Sequence, residues 1–482
     1  MRLQRHSGKR VDNRHARLGT AAAYIPPLPG RLPLSAPAGR SFGRPPRKAS
    51  EASFADLGVL ILGSVGAFSV GLVGSLPINE LLLFPLLPVA LLSKGGRAFK
   101  REYMWFYVLV VGWLLGTIIA DFYYGSPLQN RLKGTARVVF FGLNFIALAI
   151  LINHRTRRLV IFAISMAVVM FWTGMGFGGF SLMWKFGFSG AIAITALLIS
   201  SYYYARQKYS ICLLISLGLA WLNLYYGFRS QLLVHLVAAV IILPLFSHSH
   251  TKFGENRGRQ NMSRTLMLLA LAAGAAYAAN ASIKYAARSG LFDESLAEKF
   301  EGQANGDYGV LVGGRPETLV AIQAIRDRPI VGHGSYPVDE KYVQLKQDIQ
   351  YEHGYTDSDD PEEYGDPVIP THSHLTMAWV ESGILGGICW IYFLVLTLRA
   401  VLRLGYTRPP WAPLYSYLLV WFLWDILYSP FGSVNRLWAA YLILLSYHVL
   451  QSSCADIPVD QRSKSVAANG RKLLLAPARR IG

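Results

Sequence analysis

Residues 374–398 read HLTMAWVESGILGGICWIYFLVLTL, an apolar run with one acidic residue and no Lys or Arg. About 20 such residues in a helix span the hydrocarbon core of a bilayer. A carboxylate inside such a run, here Glu381, is costly unless it is paired or functional. The stretch therefore predicts a transmembrane helix with a paired or functional acid near its start.

Similar runs recur on both sides of this one, and together they predict an all-α integral membrane protein with about 12 transmembrane helices. The runs lie at 56–75, 77–93, 104–121, 138–153, 159–176, 186–204, 210–227, 231–247, 265–283, 374–398, 411–429 and 434–451.

The composition supports this fold class. Only 16% of the residues are charged and 52% are hydrophobic, whereas about 25% of residues are charged in a soluble domain. The net charge of +19 is spread over short basic clusters between the apolar runs. No groove-reading motif accompanies these clusters, so nucleic acid is not an expected partner. Cys212, Cys389 and Cys454 have neither metal-site nor disulfide spacing.

The basic clusters also predict the orientation, because cytoplasmic loops are enriched in Lys and Arg. With the N-terminus inside, the loops on its side carry most of the Lys and Arg, and an even number of spans returns the basic C-terminus to the cytoplasm. The predicted parts are a disordered basic tail (1–50), spans 1–9 (51–283), a large outer loop (284–373), spans 10–12 (374–451) and a cytoplasmic tail (452–482).

The large outer loop lies between spans 9 and 10 and carries 17 of the chain's 28 acidic residues, so we expect it in water. Loops of this length usually carry function. Within it, GGRPETLVAIQAIRDRP (313–329) predicts a helix. Proline suits the first helical turn, Leu319, Ile322 and Ile325 share a face, and Pro329 ends the pattern.

Two arginines are candidate anion ligands on the outer side. Arg229 stands where the seventh run leaves the membrane, and Arg315 precedes the loop helix, whose free N–H groups favour anions. Arginine binds phosphate through two parallel hydrogen bonds. The alternatives are an interfacial Arg229 that reaches towards headgroups and a solvated Arg315.

His372 and His374 stand at the mouth of the tenth run, and Glu381 follows about 13 Å further along a helix. An imidazole near neutral pKa is a suitable general base. The alternatives are interfacial histidines with a packing glutamate, or a metal site, for which no third ligand is placed by the spacing. Asp425 is a further acid inside a run; it either pairs with a neighbouring helix or faces a cavity.

The chain resembles the bacterial O-antigen ligase and O-antigen polymerase superfamily of membrane glycosyltransferases. The pattern is His372-Ser373 followed by Glu381, Gly383 and Gly386 at the opening of the span after the large outer loop. Ser373 stands where ligases often have Asn. Further matches are Gly314-Arg315 before the loop helix with PIVGHG (329–334) after it, and Arg229 at the outer end of an earlier span.

The resemblance implies a multi-pass protein of the bacterial inner membrane that transfers or polymerises glycan, without a metal or other cofactor, from a polyprenyl-pyrophosphate-linked donor. Arg229 and Arg315 would hold the pyrophosphate, and His372 would activate the acceptor hydroxyl, with His374 and Glu381 as possible supporting residues. The acceptor would be a glycan, a lipid or a protein. The other expected partner is the bilayer, and a chain-length regulator or an export complex is a further candidate partner.

Two functions of other classes stay open. A transporter of a small solute or anion would place polar groups near the middle of the membrane, and Glu381 and Asp425 are the features that favour it. A structural partner in a polysaccharide export complex would have no catalysis of its own.

Overall fold

The computed structural model describes residues 54–71, 75–243, 315–352 and 367–452, with isolated residues between 270 and 289. The predicted basic tail, nearly all of the ninth apolar run, much of the large loop and the C-terminal tail from residue 453 lie outside the described residues.

The described part of the chain is mostly helical. The helices are α1 Phe54–Ser64, α2 Ile78–Lys94, α3 Met104–Tyr123, α4 Leu128–Ile152, α5 Thr156–Gly174, α6 Phe180–Met183, α7 Ser189–Ala205, α8 Tyr209–Tyr225, α9 Arg229–Ile242, α10 Pro316–Asp327, α11 Glu340–Glu352, α12 His374–Thr407, α13 Ala412–Tyr428 and α14 Ser433–Gln451. A π-helical turn (Trp184–Phe188) joins α6 to α7, and 3₁₀ turns lie at Val65–Ala67, Gly95–Arg97 and Arg101–Tyr103. Strands β1 (Ser69–Gly71) and β2 (Ser75–Pro77) pair antiparallel, with Val70 opposite Leu76.

Five helical segments among the described residues are long and apolar enough to cross a membrane. They are Arg101–Tyr123, Leu128–Ile152, Thr156–Gly174, Phe180–Ala205 and His374–Gly405. Helices α1, α2, α8, α9 and α13 are apolar but shorter. The membrane character of the fold is thus supported, while the expected total of about twelve spans stays a prediction.

Helix α3 shows why these helices suit a lipid environment. Its buried face contains Trp113 and also the polar residues Thr117 and Asp121. Its exposed face is apolar, as in Trp105, Val108, Val111, Leu115, Ile119 and Phe122. Water-soluble helices have the opposite arrangement, with the apolar stripe facing the core, so a bilayer is the environment that this surface fits.

The first predicted run, 56–75, is not one continuous helix. Helix α1 ends at Ser64, a 3₁₀ turn follows, and Phe68 is extended, with φ −101° and ψ 137°, before the hairpin. Glycine recurs every few residues in this run, and each glycine in a helix interior costs about 1 kcal/mol relative to alanine.

Helix α4 begins ten residues before the predicted run at 138–153, at Leu128. Arg131, Lys133 and Arg137, which stand between the apolar runs at 104–121 and 138–153, therefore lie in a helix. The buried Arg137 forms an ion pair with Glu381 of α12 at 2.6 Å. Hydropathy cannot show this because the partner is far away in the sequence.

Buried ion pairs join helices that are distant in sequence. They are Arg137–Glu381 between α4 and α12 (2.6 Å), Arg158–Asp56 between α5 and α1 (2.8 Å), and Arg436–Glu80 between α14 and α2 (2.5 Å). A charge in an apolar interior is tolerated when it is paired and hydrogen-bonded. These pairs therefore specify which helices lie side by side.

Helix α12 packs against α3, α13 and α14 and is interrupted at Gly383, where φ is 63° and ψ is −153°. This backbone conformation is essentially restricted to glycine. The segment that follows α10 docks there: the His333 N–H donates to the Val380 carbonyl (2.7 Å), and the Ile384 N–H donates to the Ile330 carbonyl (3.0 Å). The described part of the large loop is thus held on the helix that follows His372.

Helix α10 confirms the helix that the sequence predicts at 313–329, but the buried face differs. Val320, Ala321 and Ala324 are fully buried and pack with Val380 of α12, while Ile322 is 39% exposed. The small alanine side chains allow a close approach between the two helices. Of the predicted face, Ile325 packs against this cluster whereas Ile322 points away from it, so the predicted face only partly coincides with the contact.

Candidate functional site

A cavity of about 590 Å³ lies where α5, α7, α9, α13 and α14 meet the loop residues Arg315 and His372. The residues that line it include Met166, Met170, Thr173, Lys185, Phe186, Ser189, Phe228, Ser230, Gln231, Arg315, His372, Trp421, Trp424, Asp425, Tyr428, Ser429, Asn435 and Trp438.

The cavity combines a charged mouth with an apolar interior. On α13 the lining runs from Tyr428 inward to Trp421, about 10 Å along the helix axis. On α5 it runs from Thr173 inward to Met166, an equal number of residues. This arrangement suits an amphipathic ligand with a charged group at one end.

Arg315 is fixed at the mouth by its own element and by α13. It is the N-cap residue of α10, and one guanidinium nitrogen donates to the carbonyl of Tyr428. Its charge lies 5.5 Å from the centre of the Trp424 ring. Burial lowers the pKa of Arg315 and the nearby Glu317 raises it, but an arginine stays protonated at any physiological pH. The mouth therefore holds one positioned positive charge.

His372 precedes α12 and is exposed at the mouth. The next residue, Ser373, caps α12 by accepting a hydrogen bond from the Thr376 N–H (2.9 Å) and donates to the carbonyl of Ile426 (3.0 Å). Ser and Asn are both good N-cap residues. The cap thus places the imidazole opposite the end of α13.

The pKa of His372 is lowered from its ordinary value. The crowding protein atoms remove part of the water around the imidazole, the charge of Glu317 acts in the opposite direction, and the charges of Arg315, Lys185 and Lys346 lower the pKa further. Glu317 lies 3.6 Å from Lys346 of α11. The imidazole is therefore neutral, and able to accept a proton, at neutral pH.

The second cation in the lining is Lys185, on the π-helical turn, and not the predicted Arg229. Arg229 is the half-buried first residue of α9. Its neighbours Phe228 and Ser230 line the cavity, while its own side chain is not part of the lining. The sequence signal for Lys185 was weak, because one lysine between two apolar runs is typical of any membrane boundary.

His374 and Glu381 lie away from the cavity lining. His374 is buried in α12 and its Nδ1 donates to the carbonyl of Ser429 at 2.6 Å. Glu381 forms an ion pair with Arg137. Both contacts join helices, so these two residues shape the mouth without facing it.

Asp425 lines the cavity, which is one of the two alternatives that the sequence left open for this residue. It is 8% exposed, with Ser429, Trp421 and Arg315 as its polar neighbours. Among the residues that the structure describes, no group of three or more His, Cys, Asp or Glu side chains is arranged to hold a metal ion.

A comparison of the chain with protein-family models, with curated proteins and with solved structures found no match.

Proposed function

We propose that this protein is a membrane glycosyltransferase that transfers or polymerises glycan from a polyprenyl-pyrophosphate donor at the outer face of a bacterial inner membrane. The observation that carries the proposal is the presence of His372, Arg315 and Lys185 in one cavity with an apolar interior. In this proposal the chain crosses the membrane about twelve times, with both termini in the cytoplasm.

The two cations suit the leaving group of such a reaction. A pyrophosphate gains negative charge as its bond to the sugar breaks, and fixed positive charges in a partly dry site stabilise that charge. Arg315 is held in place by the Tyr428 carbonyl, so little reorganisation is needed. The apolar wall formed by Met166 and Met170 accommodates the first isoprene units.

His372 supplies the base. The oxygen of the acceptor hydroxyl attacks the anomeric carbon of the donor glycan, and its proton passes to the neutral imidazole. The bond between that carbon and the pyrophosphate oxygen breaks, and its electron pair leaves with the polyprenyl pyrophosphate. The proton then moves from His372 to water, which restores the base.

Fewer features of the structure favour the transporter alternative. Glu381, one of the two acids that favour transport, forms an ion pair with Arg137. Asp425 is the other, and it lies beside Arg315 at the mouth. Uptake of a small anion by the protein in liposomes, without any glycan donor, would favour transport.

The proposal is tested by replacing His372 with Ala in the native cell and separating surface and lipid-linked glycans on a gel. Thr371→Ala is a matched control because Thr371 is adjacent and does not line the cavity. We expect Thr371→Ala to leave the glycans unchanged. Loss of long polymer with accumulation of single lipid-linked units indicates a polymerase, and loss of attachment with polymer retained on its carrier indicates a ligase. Normal glycans in a stable His372→Ala protein would reject the assignment.

A further inference from the structure

Asp425 does not fit a site that binds only an anion. Its carboxylate is 8% exposed, lines the cavity and lies near the Arg315 guanidinium. In its ionised form this group repels pyrophosphate and weakens the field of Arg315. A carboxylate can accept about four hydrogen bonds. The neighbours Ser429 and Trp421 use only part of this number. Asp425 is therefore suited to a part of the ligand that donates hydrogen bonds.

A second polar group faces the same cavity in a fixed orientation. The hydroxyl of Tyr417 donates to Oε1 of Gln231 at 3.0 Å, and Tyr417 is stacked on His235 with ring centres 4.6 Å apart. Because Oε1 is occupied by this bond, the amide nitrogen of Gln231 is left to donate elsewhere. Gln231 is 1% exposed and lines the cavity.

Aromatic rings surround these two groups. Trp421, Trp424 and Trp438 all line the cavity, and the rings of Trp421 and Trp438 lie 5.6 Å apart. A pyranose ring has an apolar face that packs on an indole and an edge of hydroxyl groups that both donate and accept. A cavity with an aromatic wall, one acceptor and one oriented donor matches that chemistry.

We propose that Asp425 and Gln231 bind the hydroxyl groups of a neutral sugar, which the aromatic wall packs against. This inference rests on the proposed function, in which the sugar is the one next to the pyrophosphate of the donor. Asp425 accepts from adjacent hydroxyl groups, and Gln231 donates to a hydroxyl or ring oxygen. The same carboxyl group disfavours a uronic acid, because a second carboxylate in a partly dry site either meets a negative charge or forces one of the two groups to bind a proton.

The test is a ligand-observed NMR titration of the full chain in lipid nanodiscs. The probes are the methyl glycosides of glucose, galactose and mannose and those of the corresponding uronic acids. We expect saturable binding of at least one neutral glycoside, and binding of its uronic acid counterpart that is weaker by about tenfold. Asp425→Asn should weaken the neutral glycoside about tenfold, the size of one hydrogen bond to a charged group, and should remove the discrimination against the uronide.

Tyr417→Phe provides a second variant that keeps the carboxylate. It releases the amide of Gln231, so the neutral glycoside should bind severalfold more weakly while the uronide stays disfavoured. Tyr415→Phe is the matched control, since Tyr415 is a buried tyrosine of α13 outside the cavity lining, and it should bind as the wild type does. Unchanged binding and selectivity in Asp425→Asn and Tyr417→Phe, or no binding of any neutral glycoside, would overturn the inference.

This titration contains no donor and no turnover, so it is independent of the test of the proposed function. Normal glycans in cells carrying His372→Ala together with selective glycoside binding would leave the sugar site in place and reject only the transfer reaction. The reverse result, in which His372→Ala blocks polymer but no neutral glycoside binds, would reject only the sugar site.

Discussion

At the scale of single residues, the site depends on which cations reach the cavity. Arg315 and Lys185 line it, whereas Arg229 lies beside it. The sequence predicted His372 and Arg315 as site residues because both flank predicted helix starts, and both line the cavity. It could not rank Lys185 above Arg229, since the direction of a side chain at a helix end depends on the neighbouring helices.

The first prediction at this scale compares the two cations. Lys185→Gln should lower glycan transfer by about tenfold or more, the value of one charge-assisted hydrogen bond to phosphate. Arg229→Gln should lower it less, because that side chain is not part of the lining. Initial rates of polymer formation in membranes, normalised to the amount of protein, measure both. A larger loss in Arg229→Gln would reverse the assignment of the second cation.

The second prediction concerns the pH dependence of transfer. In the proposed reaction His372 acts as a base in its neutral form, so its lowered pKa should keep activity high into mildly acidic pH, with loss as the pH falls through that pKa. Lys346→Gln removes a charge that lowers this pKa and frees Glu317, which raises it. The acidic limb of the pH–rate profile should therefore move to higher pH. In the control Lys341→Gln, the lysine that bonds Asp327 at 2.7 Å is replaced, and the limb should stay in place. A shift to lower pH in Lys346→Gln would contradict this electrostatic account.

At the scale of elements, most helices coincide with apolar runs, and the differences have physical causes. The polar first turns of α4 read as a loop because their charges are satisfied only by tertiary contacts, such as that of Arg137. The sequence also predicted Glu381 as a possible site residue, because its partner Arg137 is distant in the chain. Gly383 of the family-like pattern has a local explanation, because the kink at this residue receives the segment after α10.

The prediction at this scale is that Glu381 stabilises the contact between α4 and α12 and takes no part in the chemistry. Glu381→Gln leaves the Arg137 charge unpaired, so the protein should be destabilised by about 3 kcal/mol. The double variant Glu381→Gln, Arg137→Met should recover part of this loss. Thermal unfolding in detergent measures stability, and the transfer rate per folded molecule should stay near that of the wild type. A normal melting curve with no transfer would instead place Glu381 in the reaction.

At the scale of the whole molecule, the bundle and the loop segment together form one cavity. The cavity needs α5, α7, α9, α13 and α14 for its walls, and it needs the docked segment around α10 for Arg315. Hydropathy predicted the helical membrane character, and the family-like motifs singled out Arg315 and His372, which line the same cavity. The sequence could not predict which helices pack against each other, because buried ion pairs such as Arg436–Glu80 join residues that are far apart in the chain.

The most direct measurement of the central claim is transfer by the purified protein in liposomes. A polyprenyl-pyrophosphate-linked oligosaccharide prepared from the native cells would be the only glycan supplied, with EDTA present. If the acceptor is a lipid or a protein, that acceptor would be added as well. The products would be separated on a gel. We predict that the wild type forms longer or newly attached glycan and releases one polyprenyl pyrophosphate for each new glycosidic bond. His372→Ala should form neither product. Release of no polyprenyl pyrophosphate by folded wild-type protein with its acceptor, or equal products from His372→Ala, would contradict the account.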